Sequence, residues 1–153
     1  MGQQQLLLII LVTIIIGVAT VIAINTMGET TLSANLDSVR QDMARIAVSA
    51  QGYYQKPSMM GGGDKSFNSN GNPVNFRLLN FPGTITADPM IAFNHNGTYI
   101  LSGQTNSEFL ITSYPSAYPG YVEGEANPEA AYSMVARVAP DEIDIALPGG
   151  QLP

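Results

Sequence analysis

Residues 1–27 read MGQQQLLLIILVTIIIGVATVIAINTM, and the nineteen positions from Leu6 to Ile24 carry no charged side chain. As a helix this run spans about 28 Å, close to the hydrocarbon thickness of a bilayer. A secretory signal would have a basic start, a shorter apolar stretch and a small-residue cleavage site. Here no Lys or Arg precedes Arg40. The stretch therefore reads as part of the working protein rather than as a discarded signal. A simple membrane anchor fits its length, but the flanks lack the basic and aromatic residues that normally hold such a helix at the interface.

The chain that follows decides how the opening is used. Leu32, Leu36, Val39, Met43, Ile46, Ala50 and Tyr53 are spaced 4, 3, 4, 3, 4 and 3 apart, an apolar stripe over three heptads. Asp37, Arg40, Asp42 and Arg45 fall off that stripe, and Asp42 with Arg45 has the spacing to pair across one turn. No proline occurs until Pro57. The pattern predicts one helix from about Gln3 to Tyr54, roughly 75–80 Å long. Residues 1–27 form its apolar part and residues 28–55 its amphipathic part. A half that is apolar on every side must be enclosed by lipid or by copies of itself, whereas a half with one stripe must lie against a folded domain. Gly17, Ala19, Thr20 and Ala23 are small enough to allow close helix approach.

Residues 56–153 read as a β-rich head. YYQKPSMMGGGDKSFNSNGNPVN (53–75) ends the helix and opens a long Gly/Asn/Ser loop. Strand-length apolar runs follow at VNFRLL (74–79), MIAFN (90–94), TYILS (98–102), EFLIT (108–112), YSMVARV (132–138) and IDIAL (143–147). Asn96-Gly97 between two of them is a hairpin signal. The stretch 113–131, with its three prolines and three tyrosines, reads as an ordered surface loop. The fold class expected is α+β, a long N-terminal helix packed on a C-terminal antiparallel sheet.

Charge and composition narrow the function. Residues 1–77 carry five basic and four acidic side chains, and residues 78–153 carry one basic (Arg137) and eight acidic. Such an acidic head is unsuited to nucleic acid or anionic lipid, which are met by Lys and Arg. No cysteine is present, so a disulfide framework, a thiolate metal site and covalent haem are excluded.

Catalytic patterns are weak. The single histidine, His95, falls in the expected hairpin turn, and no GxSxG or HExxH spacing occurs. Asp141, Glu142 and Asp144 read as a solvated strand edge. Asp64, Ser66, Asn68 and Asn70 offer alternating oxygen donors of a kind Ca²⁺ accepts, but with one carboxylate and no closing bidentate Glu a turn is the stronger reading. Asn96-Gly97-Thr98 is an acceptor pattern for N-glycosylation. No enzymatic activity and no cofactor are expected.

The GQQQLLLI start, the apolar helix without basic residues, the amphipathic continuation, the MGGG stretch (60–63) and the acidic β-rich remainder resemble the type IV pilin superfamily. The likeness is carried by residues 1–63, and beyond them by architecture alone. The chain departs from the common bacterial pattern by having Gln5 in place of a glutamate and Ile22 in place of a proline. The resemblance implies a structural subunit that polymerises through Leu6, Leu7, Leu8, Ile9, Ile10, Leu11, Ile14, Ile16, Gly17 and Val21 into an extracellular filament. Partners would be copies of the chain itself, a prepilin peptidase and an inner-membrane assembly platform, with the helix lodged in the inner membrane beforehand. Met1 would be the mature, N-methylated residue if a basic leader has been removed; cleavage after Gly2 would instead make Gln3 first. The alternatives are a pseudopilin or minor pilin of a type II secretion-like system, or a binding domain tethered to a membrane.

Overall fold

The computed structural model describes residues 2–69, 71–125 and 133–146. Among these residues there are one helix, α1 (Gly2–Gln55), a short 3₁₀ turn at Ser58–Met60, and eight strands. The strands are β1 (Asn68–Ser69), β2 (Asn72–Pro73), β3 (Thr84–Ile85), β4 (Ile91–Phe93), β5 (Gly97–Ser102), β6 (Phe109–Pro115), β7 (Met134–Val138) and β8 (Ile143–Ile145). β1 and β2 form a separate two-stranded ladder, and β3 to β8 form one antiparallel sheet in sequential order. The architecture is α+β. The chain makes two compact units, Met1–Ala34 and Asn35–Pro153.

α1 is helical for different reasons along its length. In the first unit Leu, Ile and Val repeat without a breaker, and Gly17 sits inside unbroken helix. In the second unit the helix is held by burial: Val39, Met43, Ile46, Ala47 and Ala50 are at most 3% exposed. Leu36 and Tyr53 pack at the margin of this core. Leu32 belongs to the first unit, and within the second unit the stripe begins at Leu36.

Helix termination depends on the three glycines after Met60. The Tyr53 carbonyl accepts from the Gly63 amide at 2.8 Å, and the Tyr54 carbonyl from the Lys65 amide at 2.8 Å. The chain thus folds back and satisfies carbonyls that a helix end leaves open. A Cβ on Gly62 would collide with the Lys56 carbonyl, and one on Gly63 with the Ser66 carbonyl. The close approach, more than loop freedom, is what requires glycine here.

The sheet follows the alternation of its sequence. Along β6, Phe109, Ile111, Ser113 and Pro115 are buried while Leu110, Thr112 and Tyr114 are half-exposed. Cross-strand register places Tyr99 and Met134 beside Ser113, and Leu101 and Ala136 beside Ile111, so the buried face is continuous over β5, β6 and β7. This face meets α1 in one core.

Three expectations need correction. The run 74–79 is not a strand but a turn, because the Asn75 side chain accepts from the Arg77 and Leu78 amides and bends the chain. The stretch 53–75, expected as a long Gly/Asn/Ser loop, carries Phe67 and Val74 into the core, and Phe76, Leu79 and Phe81 after it are buried as well. Phe67 lies 5.0 Å from Phe109, and Phe81 lies 5.4 Å from Tyr99, ring centre to ring centre. The first part of the Pro/Tyr-rich stretch, Ser113 to Pro115, is strand rather than loop. Proline is tolerated there because it ends the strand.

Candidate functional site

In the first unit the candidate site is a surface. Every Leu, Ile and Val from Leu6 to Ile24, including Leu6, Leu7, Leu8, Ile9, Ile10, Leu11, Ile14, Ile16 and Val21, is 43–66% exposed. The hydroxyls on this helix do not interrupt the apolar character. Thr13 donates to the Ile10 carbonyl, Thr20 to Ile16, Thr26 to Ile22, Thr30 to Thr26 and Thr31 to Met27, all at 2.8–2.9 Å. A hydroxyl that bonds its own helix backbone needs no outside partner, so it can enter an apolar environment. This helix is long and apolar enough to cross a membrane.

In the second unit the site is a buried carboxylate. Asp42 lies three residues after Val39 and four before Ile46, on the same side of α1 as the stripe, and it is only 5% exposed. Its Oδ2 accepts from Asn94 Nδ2 at 2.8 Å, Asn96 Nδ2 at 2.7 Å and Tyr99 Oη at 2.9 Å. The predicted pairing with Arg45 is present only as a loose contact, 3.8 Å to Oδ1, with Arg45 largely exposed. Screening leaves little energy in such a contact. Asp42 is therefore clamped to the β4–β5 hairpin, and the expectation that it lies off the packed stripe is overturned. Burial of the Tyr99 hydroxyl, followed by the Asp42 charge, pushes its pKa well above the ordinary tyrosine value.

The hairpin is built to present those donors. Asn94 Oδ1 accepts from the Asn96 amide at 2.9 Å and the Gly97 amide at 3.2 Å, closing the turn by its side chain. The Asn96 carbonyl accepts from Asn35 Nδ2 at 3.0 Å and from the Ser116 amide at 2.8 Å. Asn96-Gly97 thus marks a hairpin as expected, but Gly97 already belongs to β5. Its need for glycine is steric, because a Cβ would meet the Tyr114 carbonyl. His95 is exposed at the turn.

The remaining sequence candidates are placed individually. Ser66 donates to Asn106 Oδ1 at 3.1 Å and accepts from the Asn68 amide at 3.0 Å, and Asp64 is exposed with φ 51°. Asn70 lies outside the described residues, as does Met1. No group of three or more His, Cys, Asp or Glu side chains is gathered for a metal among the described residues. Asp144 is half-buried and paired with Arg137 at 2.6 Å across β7 and β8, while Asp141 and Glu142 are exposed. Asn96, the candidate glycan acceptor, is half-buried with its Nδ2 turned to Asp42. A cavity of about 270 Å³ lies between Arg45 and Ser49 of α1 and the Asn80–Pro82 turn, with Asp42 in its wall.

Comparisons with protein-family models, characterised proteins and solved structures find no match. The class that the structure defines is an α+β protein with an N-terminal apolar helix long enough to span a bilayer.

Proposed function

We propose that this chain is a pilin-like structural subunit, whose first helical unit is enclosed by the same unit of neighbouring copies in an extracellular filament. The observation that carries the proposal is the all-round exposure of Leu6 to Ile24, with every threonine hydroxyl along it bonded internally. Such a surface is far larger than a soluble monomer leaves uncovered. The GQQQLLLI start supports a type IV pilin reading, in which the helix waits in the inner membrane, a prepilin peptidase processes the chain, and an assembly platform extracts it. A helix that only anchored the head in a membrane would expose the same residues to lipid. The two readings differ in what becomes of the helix afterwards.

Ile16→Asp separates them. An unpaired carboxylate among packed apolar helices costs several kcal/mol per subunit. Cells producing the variant are expected to lose surface filaments in electron micrographs while the membrane fraction still holds the subunit. Filaments at wild-type level with normal insertion would refute the proposal. Intact mass of the assembled subunit, matching a methylated chain that starts at Met1, checks the processing step.

A further inference from the structure

The pair Asn96-Gly97 carries a chemistry that neither the filament reading nor the hairpin geometry uses. An asparagine followed by glycine is open to intramolecular attack, since no side chain shields the following amide nitrogen. The Gly97 nitrogen bonds to Asn96 Cγ, the Cγ–Nδ2 bond breaks, and ammonia leaves with the amide proton. Water then opens the resulting succinimide to aspartate or isoaspartate.

The native hairpin opposes each part of that step. The Gly97 N–H is committed to Asn94 Oδ1, and the carbonyl of the same peptide group accepts from Asn35 Nδ2 and the Ser116 amide. The leaving nitrogen donates to Asp42 Oδ2 at 2.7 Å, an oxygen that also accepts from Asn94 and Tyr99. Gly97 itself is pressed against the Tyr114 backbone, so the peptide group cannot swing toward Asn96 Cγ without parting β5 from β6.

We propose that Asn96 is a fold-guarded deamidation site: the clamp suppresses conversion in the native head, and the converted residue prevents the clamp from reforming. An aspartate at this position would set a second carboxylate within hydrogen-bonding distance of Asp42, in a place where Asp42 is 5% exposed. Like charges so close and so poorly solvated repel strongly. Isoaspartate would add a backbone methylene beside β5 and shift its register. Either product makes an excursion of the hairpin irreversible. The proposal rests on the second unit alone and is independent of filament assembly.

The test uses the full chain in detergent micelles, held at neutral pH with and without unfolding urea. Trypsin places Asn96 in the peptide 78–137 and the chain's other Asn-Gly pair, Asn70-Gly71, in the peptide 66–77, which serves as the clock for the unfolded rate. In urea both pairs should convert at similar rates. In the native state Asn96 should convert more than about tenfold more slowly than in urea, because tenfold corresponds to only about 1.4 kcal/mol of opening free energy. Equal native and unfolded rates at Asn96 would overturn the guard. For the second half, Asn96→Asp is compared with Asn96→Ala, which loses the same bond without adding charge. The Asp variant should unfold at lower urea than the Ala variant, or fail to fold where Ala folds. An Asp variant as stable as the Ala variant would overturn the claim that the product blocks reseating.

Discussion

Removing the Asp42 carboxylate should cost the head a large part of its stability. Its Oδ2 accepts three hydrogen bonds of 2.7–2.9 Å, from Asn94, Asn96 and Tyr99, and the side chain is 7% exposed. Bonds to a charged group contribute about 1.5–3 kcal/mol each, and the sum is not additive when donors share one oxygen. After Asp42→Ala the two half-buried amides can turn to water. The Tyr99 hydroxyl, on a residue with no exposed surface, has less opportunity. The expected loss is about 3–5 kcal/mol. The assay is urea unfolding of a fragment from Thr30 to Pro153, followed by far-UV circular dichroism. The fragment suits the question because Asp42 and all its partners lie within the compact unit Asn35–Pro153. With a slope of about 2 kcal/mol per molar urea, the midpoint should fall by about 2 M at unchanged slope. Tyr99→Phe alone should cost about 1–2 kcal/mol, and the double variant should cost at least about 1 kcal/mol less than the sum. A loss below about 1 kcal/mol for Asp42→Ala, or strict additivity with Tyr99→Phe, would refute the reasoning that this carboxylate holds the hairpin to α1.

The raised Tyr99 pKa makes the head sensitive to alkali. Above about pH 10 the unfolded chain releases the phenol proton while the folded head retains it, so stability falls with pH, by about 1.4 kcal/mol per unit from this group. Tyr99→Phe should remove that part of the slope, and an unchanged slope would contradict it. Gly97→Ala should destabilise the fragment by about 2–3 kcal/mol in the same urea assay, since its Cβ meets the Tyr114 backbone rather than a movable side chain. Gly17, the only glycine between Leu6 and Ile24, is the expected position of any helix break on assembly, because glycine costs a helix interior about 1 kcal/mol relative to alanine. Filament density with continuous helix through Gly17 would exclude that role.

What the sequence by itself determined is what repeats locally. The charge-free run from Leu6 to Ile24 and the 4-3-4-3 stripe from Leu32 to Tyr53 announce α1, and the apolar-rich runs at 98–102, 108–112 and 132–138 announce β5, β6 and β7. Periodicity suffices there because each element's buried face is set by its own residues. The tertiary structure alone decided the rest. Asp42 looked like half of a surface pair with Arg45, yet its partners lie 52 to 57 residues away on a hairpin. A signal was available in its spacing from Val39 and Ile46, which places it on the buried side. Its safety there depends on donors that no local pattern reveals. Phe67 likewise sat in a segment whose glycines and asparagines indicated loop, and Phe76 in a run that indicated a strand, because composition reports the backbone's need to turn and not where the side chains between the turns go. The MGGG stretch was visible as part of the loop after the helix, but its reason is the close approach of Gly62 and Gly63 to neighbouring carbonyls, which only the folded chain creates. Local periodicity records what a segment must bury; which distant group satisfies a buried charge is settled when the segments meet.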